Sequence, residues 1–533
     1  MPNTIADNLD RLKAVVPAIK NAIVAKGGTV NEGDGLEDFP ADINSIANSV
    51  YNPEGVNFFD LDGTVLYSYT AEEFANLTSM PPNPDQTEHW LTAQGWNWTL
   101  ADAKAYVAKY GGLNIGQYYV TIDGKTSVKI RLQEGRVHPQ LGLYMNGTAD
   151  IDWGDESEHS TLTGTNFAYK YTDHVYPGAG EYIILITITG KARIAGNGGN
   201  SFFCKHTVGS KTAGNESRIY SNSIIDVHLG NDIDLGSYAF FRCYSLEHIA
   251  IPNTIATIDG QTFRWCSTLS GIVIPHGVTS IGSSAFEGCY SMRYVSISKT
   301  VTSVGNYAFS QCFGVSSLIF GEAMTSAGDY AFQDTGACDV IKTPGLQNIP
   351  ASFATRNRML KEFVVPSGVT KIGNSAFNQV YGIESITIPN TVTTIETSAF
   401  AECQALNFIE FSDNVTTLGE SMFNNCTALK AFRIPIHATT IPKMSFYKCY
   451  SLDHIEIPAE VTSIGAQAFD TCTGLMYIKF IGTTPPTLAN SNAFANITSD
   501  CKILVPAGTL SDYTSASNYP DPTKYTYEEY STT

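Results

Sequence analysis

Apolar and polar positions recur with a long period through the C-terminal half of the chain. Between Leu246 and Leu269 the recurring apolar positions are Leu246, Ile249 and Ile251, then Ile255 and Ile258, then Phe263, Cys266 and Leu269. Ile249 and Ile251 alternate as one face of a short strand does, and Pro252 ends it. The phrase returns as IVIPHGVTSIGSSAFEGCYSM, ITIPNTVTTIETSAFAECQAL and IEIPAEVTSIGAQAFDTCTGL. Its phenylalanines are Phe240, Phe263, Phe286, Phe309, Phe332, Phe353, Phe377, Phe400, Phe423, Phe446, Phe469 and Phe494, and most intervals are 23 residues. A fixed period of this length predicts a solenoid, in which each coil buries its apolar side against its neighbours. Function is then expected on surfaces.

Eight cysteines follow the repeat phenylalanine by three residues: Cys243, Cys266, Cys289, Cys312, Cys403, Cys426, Cys449 and Cys472. Stacked coils would set these thiols about 4.8 Å apart and parallel, whereas a disulfide requires Cβ atoms about 3.5 to 4.5 Å apart. They are therefore expected to be small, reduced core residues. Zinc is the alternative, but no paired C-x-x-C spacing accompanies the column. Thr335, Arg356 and Val380 replace the cysteine in three coils, so a bend or a special surface is expected between about Thr335 and Val380.

The N-terminal part follows other rhythms. Ile5, Leu9, Leu12, Val16, Ile19 and Ile23 recur every three or four residues and predict a helix with one apolar stripe, stopped by Gly27 and Gly28. An α/β segment follows from about Val56 to Asp123. Its NFFDLDGTVLYSYT predicts a hairpin with Asp62 and Gly63 in the turn, Thr70 with Glu73 a capping box, and TLADAKAYVAKYGG a second helix. Trp90, Trp96 and Trp98 suit either a sugar-stacking platform or a small core, and burial is expected. Residues 126 to 190 read as strands separated by Gly, Pro and polar turns.

Four resemblances attach to these residues. The repeat phrases resemble the BspA-like leucine-rich repeat family over roughly residues 238 to 482. IADNLDRLKAVVPAIKNAIVAKGGTV with LEDFPADINSI resembles a small N-terminal module of phage and prophage tail proteins of gut bacteria. Trp153, Gly154 and Asp155 with Tyr176 to Tyr182 resemble the polycystic-kidney-disease-type immunoglobulin-like domain. The D-x-D-G-T-V of Asp60 to Val65 is similar to the first motif of haloacid-dehalogenase phosphatases, which would make Asp60 a nucleophile and Asp62 an acid/base; too short a segment follows for that fold, and no later acidic pair suits magnesium. The expected fold is multidomain and mainly β. A helical docking or oligomerisation module spans 1–50, a small α+β domain 51–125 and an immunoglobulin-like β-sandwich 126–192. A leucine-rich-repeat solenoid of about twelve 23-residue coils, with leading coil and cap, spans 193–505, and a C-terminal tail 506–533.

Composition narrows the function. With 32 Lys and Arg against 51 Asp and Glu the net charge is −19, which argues against nucleic acid and anionic membranes. No apolar run reaches the ~18 residues that span a bilayer, and the first residues lack the basic region of a signal peptide. No catalytic motif or cofactor fingerprint appears, so no enzyme activity, cofactor or metal is expected. The resemblances imply a tail-associated adhesin of a virion, acting outside the host cell. Its helix of Ile5 to Ile23 would dock to other tail proteins, as a homotrimer if it self-associates, and its solenoid would bind a host surface glycan or protein. The alternatives are a bacterial cell-surface adhesin of BspA-like type, or a virion decoration protein without a ligand. On each strand the residue before the inward Ile faces out, which makes His248, Tyr294, Phe408, His454 and Tyr477 the candidate ligand-binding residues.

Overall fold

The computed structural model describes residues 51–52, 54–83, 91–196, 201–204, 220–336 and 338–531. The expected docking helix of Ile5, Leu9, Leu12, Val16, Ile19 and Ile23 lies outside the described residues. From about residue 224 onward the chain is a β-solenoid of about 13 turns of ~23 residues. Most turns add a short parallel strand in register with its neighbour, as Gly271–Ile274 on Tyr294–Ile297 and Ser385–Thr387 on Phe408–Glu410. The repeat phenylalanines are buried and stacked, with ring centroids 5.4 Å apart for Phe240 and Phe263 and 5.1 Å for Phe446 and Phe469. The cysteine thiols fill the space beside them, buried and outside any disulfide. Cys266, Cys403 and Cys449 donate to the carbonyls of Phe240, Phe377 and Phe423 at 3.1 to 3.2 Å.

Each coil turns tightly by using left-handed backbone at side-chain-bearing residues, among them Ser284, Ser375, Ser398 and Ser421 at φ 54–55°. That conformation costs about 1–2 kcal/mol for a non-glycine residue. Here it aims the following N–H groups along the solenoid axis: Phe263 N donates to Ala285 O and Phe286 N to Ala308 O, both at 2.8 Å. The coils are thus tied along two edges. In the central stretch the phenylalanine spacing changes, to 21 residues before Phe353 and 24 after it. The ring of Phe353 stands at 89° to Phe332 and 70° to Phe377, and Phe363 fills the gap at 5.6 Å from Phe353. Strand pairing thins there to isolated bridges, Val340 with Glu362 and Ile349 with Ile372, before a new pair of strands begins at Ser385.

The N-terminal α+β domain has strands β1 (Val56–Phe59), β2 (Val65–Tyr69), β3 (Leu91–Trp96) and β4 (Leu113–Thr121), with helices α1 (Ala71–Asn76) and α2 (Leu100–Tyr110). Sheet order is β2-β1-β4-β3. The β1–β2 hairpin and the Thr70–Glu73 capping box form as the sequence predicts.

The immunoglobulin-like sandwich does not form. Strands β5 (Thr126–Leu132), β6 (Gln140–Asp152), β7 (Ser160–Asp173), β8 (Gly180–Ile194) and β9 (Phe203–Cys204) lie in one sheet with β10 (Ile224–His228), β11 (Ile233–Leu235) and β12 (His248–Ala250). The reason is edge pairing. β5 bonds antiparallel to β10 and β8 bonds parallel to β11, so the first coils continue the sheet instead of leaving it to fold onto a second one. The Trp153–Gly154–Asp155 turn is a packed corner, with Trp153 buried, its ring stacked on His174 at 4.7 Å and its carbonyl accepting from Tyr176 Oη. This sheet shares one core with the coils and closes the open apolar end that a solenoid otherwise exposes. The other end is closed by the segment expected as a tail: helix α3 (Leu510–Ser515) packs Tyr513 on Phe480, and Thr526–Tyr530 extends the sheet beside Lys502–Pro506.

Candidate functional site

The outward column of the solenoid sheet is divided in two by the small α+β domain. From Gly271 to Ile319 the outward residues are small or apolar and lie beneath β4 and the β1–β2 turn. Gly116 of β4 rests on Val273 and Ser296, where an added Cβ would come within 2.5 and 2.9 Å of their side chains. The buried amide of Asn97 donates to Ile274 O at 3.1 Å and Ser296 Oγ at 3.0 Å, and accepts from Gly116 N at 2.9 Å. Trp98 Nε1 donates to Ile297 O at 2.9 Å and Asn114 Nδ2 to Ser317 Oγ at 2.9 Å. Ion pairs close the margin, Lys299 with Asp102 and Lys109 with Glu322. The polar groups that a buried sheet face would otherwise leave unpaired are thus met by the domain above them.

Two of the five predicted residues fall in or beside this covered half. Tyr294 is only 4% exposed: its ring stacks on Phe59 at 5.0 Å and its hydroxyl donates to Leu61 O. Burial, then the charges of Asp62 and Asp60, pushes its hydroxyl pKa up. As a solvent-facing ligand contact Tyr294 is therefore corrected, because a domain of the same chain already occupies its outer side. His248, half-buried at the margin, lies 3.1 Å from Ser270 Oγ. The Asp60–Asp62 turn has a structural part here. Gly63, at φ +88°, sits so close to Tyr294 that a Cβ would fall 1.8 Å from the ring, and Asp62 holds the turn by accepting from Thr64 N and Oγ1. Of the tryptophans, Trp96 and Trp98 are buried and Trp90 lies outside the described residues.

The other three predicted residues stand together on the uncovered half. Phe408 is 51% exposed, and His454 and Tyr477 stack at 5.1 Å and 21°. Beside them run the pairs Lys479–Glu456 at 2.9 Å, Arg433–Asp413 at 2.8 Å and Lys502–Glu528 at 2.8 Å. Asp413 is held below the usual carboxylate range by the Arg433 hydrogen bond, and Lys479 above its usual value by Glu456. Such a surface offers ring faces, fixed charges of both signs and a rigid backbone. It suits contact with a glycan or a protein. The docking residues Asn97, Asn114, Trp98 and Gly116 were not singled out from sequence as contacts with the solenoid. A signal existed on the other side, since outward Val273, Ser296 and Ile319 contrast with outward Glu410, Glu456 and Lys479.

This architecture is that of a leucine-rich-repeat protein with one open and one occupied stretch of sheet. The repeats are of a particular kind: the model of the BspA type Leucine rich repeat region matches residues 233–354 and 347–476, so the chain carries a BspA-type repeat region. Among solved structures the chain is similar to a leucine rich cell surface protein from Faecalibacterium prausnitzii A2-165, at 26% identity over 59% of this chain and 94% of that one, TM-score 0.35. It is also similar to a leucine-rich repeat protein from Bacteroides ovatus, at 19% identity over 65% and 95%, TM-score 0.36. A third is the pneumococcal vaccine antigen PcpA, at 14% identity over 65% and 85%, TM-score 0.36. No curated protein matches the chain.

Proposed function

We propose that the chain is a bacterial cell-surface adhesin of BspA type that acts by binding, without a catalytic centre, and that the uncovered half of its solenoid sheet holds a host glycan or protein. The carrying observation is the contrast along one side of the solenoid: from Gly271 to Ile319 its strands already grip a folded surface, while around Phe408, His454 and Tyr477 the same repeat backbone presents rings and charges to solvent. The BspA-type repeat, whose carriers are typically surface proteins, favours the cell surface over a virion. No helix among the described residues is long and apolar enough to cross a membrane. The virion reading rests on the resemblance of IADNLDRLKAVVPAIKNAIVAKGGTV and LEDFPADINSI to a tail-protein module. Protease shaving of intact producing cells separates the two: release of solenoid peptides supports surface display, and recovery only in particle fractions supports the virion. For the face itself, Phe408→Ala with Tyr477→Ala is expected to weaken attachment to host cells about tenfold or more with little change in Tm, as loss of interface anchors does. Undiminished attachment would place recognition elsewhere.

A further inference from the structure

Beside the docked domain lies a cleft of about 680 Å³ that neither half of the sheet accounts for. It opens where the β1–β2 hairpin meets the coils around Tyr290 and Ser316. Its floor is the stacked pair Phe59 and Tyr294, and Tyr51 forms a wall, hydrogen-bonded through its hydroxyl to Ser317 Oγ at 2.6 Å. Tyr290, 42% exposed, lines the other side with Phe313 stacked behind it at 5.4 Å. That support fixes the ring's orientation. No aspartate or glutamate lines the cleft, although the chain carries 51 acidic residues.

Arg293 supplies the charge. Every other described arginine has an ionic, hydrogen-bonded or ring partner: Arg131 with Glu181, Arg136 with Gln133, Arg264 with Glu287, Arg356 with Asp334 and Arg433 with Asp413, while Arg193, Arg242 and Arg358 lie over aromatic rings. Among the described residues the Arg293 guanidinium alone has none. A guanidinium presents a planar fork of donors matched to a carboxylate. The cleft volume lies within the usual range for small-ligand sites, and aromatic walls with a few polar groups are the usual lining of one.

We infer that this cleft binds an acidic sugar residue, its carboxylate on Arg293, its ring against Tyr290 and its hydroxyls toward the Ser316 and Tyr51 side. The ring stacking and hydroxyl contacts argue for a saccharide over an inorganic anion, which would use the guanidinium and leave the aromatic walls idle. The site is separate from the Phe408–Tyr477 surface and does not depend on how that surface is read.

The full chain is titrated calorimetrically with 3′-sialyllactose, with a galacturonic acid trimer and with lactose as the neutral control. At least one acidic probe is expected to bind, at least tenfold more tightly than lactose, and which one binds identifies the sugar as a sialic or a uronic acid. Arg293→Gln and Tyr290→Ala are each expected to lower that affinity about tenfold, the first by loss of a charged hydrogen-bonded contact and the second by loss of a stacked ring face. Both side chains are solvent-exposed, so unchanged Tm separates lost binding from lost folding. Phe408→Ala is expected to leave the titration unchanged. Failure of both acidic probes, equal binding of lactose, or full affinity in Arg293→Gln overturns the inference.

Discussion

The strands Tyr294–Ile297 and Phe408–Glu410 stand at the same place in their coils, in two separate short sheets on one side of the solenoid, carry the same inward isoleucine or valine and differ in what they turn outward. The first is buried along its whole length and the second alternates exposed, buried, exposed. Ser296 lies beneath β4 and Tyr294 beneath β1 and its turn, while Phe408 and Glu410 meet water. The difference teaches that the repeat dictates the scaffold and only the variable outward positions dictate what the scaffold holds. A solenoid can therefore hold part of its own chain on one stretch of its surface and leave the matching stretch open.

The sharpest way to break this comparison is to place one charge in both halves. Ser296→Glu would bury a carboxylate against the Asn97 amide and Asn114 O that Ser296 now contacts, at a cost of several kcal/mol, so the α+β domain is expected to lift away. Thr387→Glu, at the matching open position, is expected to change stability by less than about 0.5 kcal/mol. Limited proteolysis within 91–121 reads the result, and equal resistance in the two variants would remove the distinction. A smaller change is Asn97→Ala, which strips Ile274 O, Ser296 Oγ and Gly116 N of a buried partner and should weaken docking by about 2–4 kcal/mol. Hydrogen exchange over Tyr294–Ile297 should then rise toward that of Phe408–Glu410.

Acid provides a milder lever. Lys299 and Lys109 hold Asp102 and Glu322 below their ordinary values of 3.8 and 4.5. A depressed carboxyl contributes stability that is present above its unfolded value and is lost as pH falls through its folded one. Docking is thus expected to be at full strength above about pH 5 and to loosen below about pH 4. Trp98 emission should shift to the red over that range. The smallest expected difference lies between thiols. Burial pushes both Cys289 beneath the covered half and Cys449 beneath the open half well above the ordinary thiol range, and Cys403 to about 12. All should resist labelling equally at pH 8 without denaturant. Faster reaction of Cys449 would show that docking, not coil stacking, protects the core.

Much of the scaffold was legible in advance because it is periodic. Phe263, Cys266 and Ile258 announce their burial by recurrence, and the Asp62–Gly63 turn and the Thr70–Glu73 cap are local arrangements that few residues suffice to specify. The candidate face was legible only in part. Phe408, His454 and Tyr477 stand where alternation puts them, but Tyr294 obeys the same rule and is buried, since alternation gives the side of a strand and not what lies over it.

The solenoid, its inward columns of phenylalanine and thiol, and the hairpin and capped helix of the small domain are all written in the order of residues along the chain. Each follows from contacts between residues close in sequence or repeated at a constant interval. Long-range packing set the rest: β5 to β9 join the first coils as one sheet, residues 510–530 close the far end, and Asn97, Trp98 and Gly116 cover Ile274, Ser296 and Ile297. Those contacts join residues more than 150 positions apart in the docking pairs. They depend on shape and on the pairing of buried polar groups across two surfaces, and neither leaves a period in the chain.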